Sequence, residues 1–186
     1  MELGLKSKTV RIDKYNPQWK EEFLKQEKIL KKALWDYDVK IEHIGSTSIV
    51  GCSAKPIIDI AIGVPSLEYG KQLIPILEDL GWTYTGDADF GVRWFLKMCK
   101  GDLRTHFIHI EDRNTRIWQN HIIFRDYLNT HPEKVKEYSE IKEQCEKEFA
   151  TNREGYAKRK DPFIEKTIQT ALKEWNIQPL GEDYKM

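Results

Sequence analysis

Residues 41–48, Ile41-Glu42-His43-Ile44-Gly45-Ser46-Thr47-Ser48, and residues 54–62, Ala54-Lys55-Pro56-Ile57-Ile58-Asp59-Ile60-Ala61-Ile62, decide the fold. The first stretch reads as the end of a strand, Val39 to Ile44, stopped by Gly45 and followed by a loop of small residues to Gly51. The second is short, rich in β-branched residues and bounded by Pro56 and Gly63, the pattern of a buried strand. Residues two apart on a strand share a face. One face therefore carries Ile58, Ile60, Ile62 and Val64, and the other Ile57, Asp59, Ala61 and Gly63. The first must be buried. The second is small and holds one carboxylate beside room for a ligand.

That pairing of turn and carboxylate has a chemical logic. Glycine lets a backbone approach a phosphate closely, and Ser46, Thr47 and the amides of the next turn can bond its oxygens. A strand carboxylate nearby can hold a divalent cation that neutralises the same phosphates.

Outward from this centre, Val10-Arg11-Ile12 is a candidate short strand, and Asn16-Pro17 caps an amphipathic helix over about 17–35. A helix is expected from Ser66 to Leu80, kinked or divided at Pro75, then a strand at Trp82-Thr83-Tyr84 and a turn over 86–91. Arg93 to Met98 and Thr105 to Glu111 read as a hairpin through Lys100-Gly101-Asp102. Three helices follow, one around Trp118 to Leu128, one from near Pro132, and one capped by Asp161-Pro162, with a polar, loose tail beyond Asn176. The order predicts an α+β protein, a mixed sheet over about 9–112 with a C-terminal helical extension over about 113–175, in one unit of 186 residues.

Lysine plus arginine (30) equals aspartate plus glutamate (30), so nothing global attracts nucleic acid or an anionic membrane. Three scattered cysteines without a CxxC argue against a disulfide framework or a thiolate zinc site. No apolar run approaches the ~18 residues of a membrane span, and the amino terminus lacks an apolar leader, which points to the cytoplasm.

Alternation extends to the hairpin. Asp59, Arg93, Lys97, His109 and Glu111 can share one side of a common sheet, while His106 and His109 point to opposite faces and cannot easily share an ion. Such a face is either a ligand pocket or simply the solvated side of an antiparallel sheet. Arg125 reads as a surface or helix-cap residue that can reach back toward the sheet, and Lys160, one turn from Tyr156, as a solvated lysine that can also touch a phosphate.

The two opening stretches, with His106-Phe107-Ile108-His109, Phe124-Arg125-Asp126-Tyr127-Leu128, His131-Pro132-Glu133, and Tyr156, Lys158, Lys160 and Pro162-Phe163-Ile164, resemble the GrpB family across roughly residues 9–175. GrpB-like proteins are similar in turn to the nucleotidyltransferase superfamily. That resemblance implies a mixed sheet flanked by helices, with Gly45 and Ser46 holding a nucleoside triphosphate and Asp59 ligating Mg²⁺. A further carboxylate is expected on a neighbouring strand, where His109 and Glu111 stand; Arg93 or Lys97 would stabilise phosphate charge, and His109 would act as ligand or general base. The superfamily strand usually carries two carboxylates two residues apart, and here the partner of Asp59 is Ala61. Three functions stay open: metal-dependent nucleotidyl or phosphoryl transfer to a small molecule, a non-catalytic nucleotide or phospho-ligand module, and a metal-dependent hydrolase using Asp59, His43 and His109.

Overall fold

A computed structural model describes residues 2–88 and 92–181. Asn16 Oδ1 accepts the Gln18 amide at 3.0 Å and opens α1 (Gln18–Ala33), which buries Trp19, Phe23 and Leu30. β1 (Lys40–Ile44) leads through a 3-10 turn over Ser46–Ser48 to β2 (Ile58–Val64). α2 (Leu67–Lys71) and α3 (Leu73–Asp79) follow. The break falls at Gln72 rather than at Pro75. A proline ring clashes with the carbonyl four residues back, and Lys71 ends α2. β3 (Thr83–Ala88), β4 (Arg93–Lys100) and β5 (Leu103–Asp112) complete the sheet, and α4 (Arg116–Thr130), α5 (Pro132–Phe149) and α6 (Arg153–Glu174) complete the chain.

The sheet order is β1-β2-β5-β4-β3, with β2 and β5 parallel and the other neighbours antiparallel. One face packs Ile58, Ile60, Ile62, Val64, Leu96, Ile108 and Ile110, all fully buried, under α1 and α3. Each such side chain is worth about 1.5–3 kcal/mol, so a one-residue slip is prohibitive and the register is fixed. On the other face α4 lies over β1 and β2. A Cβ on Gly63 would stand 2.7 Å from the Trp118 ring, so glycine there lets α4 sit down on the strand.

Four further expectations change. Val10-Arg11-Ile12 is not a strand; Val10 packs on Cys145 and Tyr156 and its amide donates to the Ala150 carbonyl at 2.9 Å, while strand-like pairing of the amino-terminal segment is limited to the bridges Leu5 to Arg104 and Asp13 to Ala54. The strand after Trp82 runs on to Ala88 through the expected turn, with a register shift between Tyr84 and Asp87; residues 89–91 lie outside the described residues. The last helix begins at Arg153, capped by Asn152 Oδ1 on the Gly155 amide at 3.0 Å, and Pro162 lies inside it. Burial of Tyr156 one turn in offsets the cost of an interior proline, about 3 kcal/mol. Residues 176–181 are not loose, for Ile177 packs on the helical core and Gln119 bonds both Gln178 and Leu180. Residues 182–186 lie outside the described residues.

Candidate functional site

The strand registers set three rows of side chains across one face. Ile44, Asp59, Phe107 and Lys97 form the first, Glu42, Ala61, His109 and Phe95 the second, and Lys40, Gly63, Glu111 and Arg93 the third. Asp59, Arg93, Lys97, His109 and Glu111 therefore share a face, and His43 and His106 lie on the other.

At the first row the chain leaves β1 through Gly45 (φ 68°, ψ −173°), a backbone that favours glycine. A Cβ at Gly45 would stand 2.7 Å from Asp59 Oδ2, so the turn and the carboxylate are in direct contact. Asp59 is partly open, and its Oδ1 lies 3.4 Å from His109 Nε2. Burial pushes the His109 pKa down against the pull of Asp59, and so favours the neutral ring. With Nε2–H turned to Asp59, the bare nitrogen is Nδ1, which is buried with no hydrogen-bond partner among the described residues.

Ser46 lies beside the buried Tyr138 phenol of α5, whose pKa burial raises. Thr47 turns inward. Its hydroxyl donates to the Ile57 carbonyl at 3.4 Å and lies 3.0 Å from His43 Nε2, so only its backbone faces the turn. His43 stacks on Phe23, centroids 4.6 Å apart, and burial lowers its pKa to about 4. It sits behind the sheet from Asp59, and an Asp59–His43–His109 hydrolase centre is ruled out by that placement.

The third row is occupied by its own contacts. Glu111, without exposed surface, accepts from His121 Nδ1 on α4 at 3.1 Å and lies 3.6 Å from Arg93 Nη1. Despite burial its pKa is lowered, because His121, His109 and Arg93 all favour the carboxylate. Gly63, the row partner of Glu111, is four residues along β2 from Asp59, about 13 Å at strand spacing. Glu111 and Asp59 therefore do not meet around one ion, and Arg93 is equally remote from the turn. Lys97 is level with Asp59 but two strands away, about 10 Å.

A cation within electrostatic reach of Asp59 comes instead from a helix. Lys160 of α6 is half-buried, its pKa pushed down by burial against the pull of Asp161 and Asp59, and it is not the solvated lysine its sequence context suggests. Lys55 Nζ stacks 3.8 Å over the Tyr156 ring, with Lys160 Nζ 5.9 Å from the same ring. Arg125 reaches the sheet, donating to Glu42 Oε2 at 2.6 Å and to the His43 carbonyl at 3.0 Å. The four-residue spacing of His121 and Arg125 is the sequence signal that both face the sheet.

The loop after β1 is held by these helices. Asn129 of α4 brackets it, accepting the Val50 amide at 2.9 Å and donating to the Ser48 carbonyl at 3.3 Å. Lys142 of α5, 1% exposed, donates to Cys52 Sγ at 3.0 Å and to the Ser53 carbonyl.

Among the described residues no group of three or more His, Cys, Asp or Glu could hold a metal ion. A protein-built metal cage does not fit. A Mg²⁺ does fit here, since Mg²⁺ keeps several waters and needs only one or two carboxylates plus a substrate's phosphates, and Asp59 offers an accessible carboxylate beside a phosphate-sized turn.

The molecule is thus an α+β protein whose mixed sheet, half-covered by a helix, presents a glycine–serine turn against a strand carboxylate. Residues 9–170 match the family model described as GrpB protein, and the chain belongs to the GrpB family. The "Glutamate-rich protein GrpB" of Alkalihalophilus pseudofirmus is 30% identical over 170 residues, covering 89% of this chain and 98% of that protein. "UPF0157 protein YqkA" of Bacillus subtilis is 36% identical over 167 residues, 89% of this chain, but the chain spans only 48% of that relative. The crystal structure of the conserved protein GrpB from Enterococcus faecalis matches with a TM-score of 0.80 at 34% identity, over 89% of this chain and 99% of that one. A Cid1 poly(U) polymerase structure bound to MgATP aligns at 16% identity over 71% of this chain and 45% of its own, with a TM-score of 0.44. No helix among the described residues is long and apolar enough to cross a membrane.

Proposed function

We propose that this chain binds a nucleoside triphosphate, or another phosphate ligand, with Mg²⁺, and transfers a nucleotidyl or phosphoryl group to a small molecule. The carrying observation is the contact between the Gly45 turn and Asp59, with Lys160 in the electrostatic reach of the same carboxylate. In this reading the amides after Gly45 and the Ser46 hydroxyl hold phosphate oxygens, with Lys160 adding charge. Asp59, oriented by His109, ligates a Mg²⁺ that the ligand's phosphates share. Lys97 can approach from across the sheet, and Arg93 belongs to the far row.

Calorimetric titration with ATP, CTP, GTP and UTP, with and without Mg²⁺, tests the reading. We expect Mg²⁺-dependent binding that Asp59→Asn weakens at least tenfold, and pyrophosphate release in the wild type. Ala61, fully buried where a second carboxylate would complete a two-metal site, favours a second reading, a binding module without turnover. Tight binding indifferent to Mg²⁺ and to Asp59→Asn selects that reading and overturns the first.

A further inference from the structure

We propose that Glu111 and His121 form a carboxylate–imidazole dyad whose free nitrogen takes the proton of an acceptor hydroxyl on the Asp59 face of the sheet, a role that rests on the transfer reading above. Glu111 Oε2 lies 3.1 Å from His121 Nδ1 and Glu111 has no exposed surface, so the Nδ1 proton is committed to the carboxylate. That fixes the tautomer and leaves a lone pair on Nε2. The His121 side chain keeps 29% of its surface exposed, so the ring is open to an acceptor instead of being sealed beneath α4. The ring centroids of His121 and His109 are 6.0 Å apart, and His109 in turn holds Asp59 at 3.4 Å. A base at His121 is therefore one ring removed from the carboxylate where the phosphates gather. His109 cannot serve in its stead, because one of its nitrogens faces Asp59 and the other is buried.

The charged and titratable groups on the face around His121 include Glu111 and His109 from β5, Arg93 from β4 beyond Glu111, Asp59 from β2 beyond His109, Lys40 and Glu42 of the same rows on β1, and Arg125 one turn on in α4. In the step, Nε2 takes the proton of a hydroxyl compound, water included. The oxygen bonds to the α-phosphorus of the nucleoside triphosphate, the bond from that phosphorus to the bridging oxygen breaks, and pyrophosphate leaves with the electron pair. The imidazolium, stabilised by Glu111, then returns its proton to solvent. General-base catalysis of this kind contributes about 10²–10⁴-fold.

The test follows pyrophosphate release from Mg²⁺-bound ATP, CTP, GTP and UTP with water as acceptor, alongside calorimetric nucleotide affinity and nitrogen-15 NMR of the imidazoles. His121→Gln is expected to lower the rate at least 100-fold with nucleotide affinity unchanged within twofold, and to remove the limb of the pH profile on which the rate rises as an imidazole loses its proton. Glu111→Gln, near-isosteric and checked by thermal unfolding, is expected to cost about tenfold and to move that limb; the His121 Nδ1–H tautomer present in the wild type is lost. A His121→Gln rate within twofold of wild type, or a wild-type His121 protonated on Nε2, overturns the dyad. Binding that needs Mg²⁺ and Asp59 but releases no pyrophosphate overturns the dyad and leaves nucleotide binding standing. Absence of Mg²⁺-dependent binding overturns both.

Discussion

Gly45 and His43 show how closely the site depends on single side chains. A methyl group at position 45 would meet Asp59 Oδ2 at 2.7 Å on a backbone with φ 68°. Gly45→Ala is therefore expected to cost about 1–3 kcal/mol, measured by urea unfolding, and to weaken Mg²⁺-nucleotide binding by displacing the carboxylate. His43 makes the protein acid-sensitive. Its pKa is about 4 in the folded chain, against an ordinary 6.5, because burial beside Phe23 disfavours the imidazolium. The unfolded chain then binds the extra proton, so stability is full above pH 6.5 and falls as pH drops toward 4, by about 3 kcal/mol. Unfolding curves between pH 7 and 4 should show the loss, and His43→Gln should remove the His43 share of it, leaving that of His106 and His109, whose pKa values burial also lowers. A pH-independent wild type would contradict this assignment.

At the scale of elements, α4 lies over the site face and is held at both ends. Trp118 rests on Gly63 at one end, and at the other Arg125 bonds Glu42 and the His43 carbonyl. Arg125→Ala is expected to cost about 2 kcal/mol and to loosen α4, read as faster amide exchange in β1 and α4 than in α1. The period-two pattern of β2, β4 and β5 made this face legible in the sequence, because alternation depends only on strand geometry; Asp59, His109, Glu111, Arg93 and Lys97 were placed together for that reason. How far along the strands they lie from one another was not legible. Separation depends on register between segments some 45 residues apart, which puts Glu111 and Arg93 a row pair away from Asp59. The placement of His121 and the burial of Lys160 were hidden for another reason. A helix's polar residues read alike whether they face water or a cleft, until the partner surface is known. Pro162 misled because local propensity predicts a start, and tertiary burial of Tyr156 carried the helix through it.

Across the whole molecule, one buried lysine joins the two halves. Lys142 of α5 bonds Cys52 and the Ser53 carbonyl in the loop that follows β1, with Tyr138 stacked 4.1 Å away, and burial pushes its pKa down. Lys142→Met keeps the volume and loses the donor, whereas Lys142→Ala also opens a cavity. Denaturation should find the alanine variant less stable than the methionine variant by about 2 kcal/mol, with equal losses counting against the packing role. The strand order has its own consequence. β5, the last strand made, enters between β2 and β4, and only that insertion joins β1-β2 to β4-β3. On the ribosome, residues through β2 emerge with an edge that has no partner until β5 arrives about 40 residues later. Docking of α4 and the contact of His109 with Asp59 must follow that insertion. The Asp59 face is thus the last part of the sheet to assemble, and refolding should be limited by this long-range closure. The nascent chain is most vulnerable to aggregation in the interval before β5 is complete.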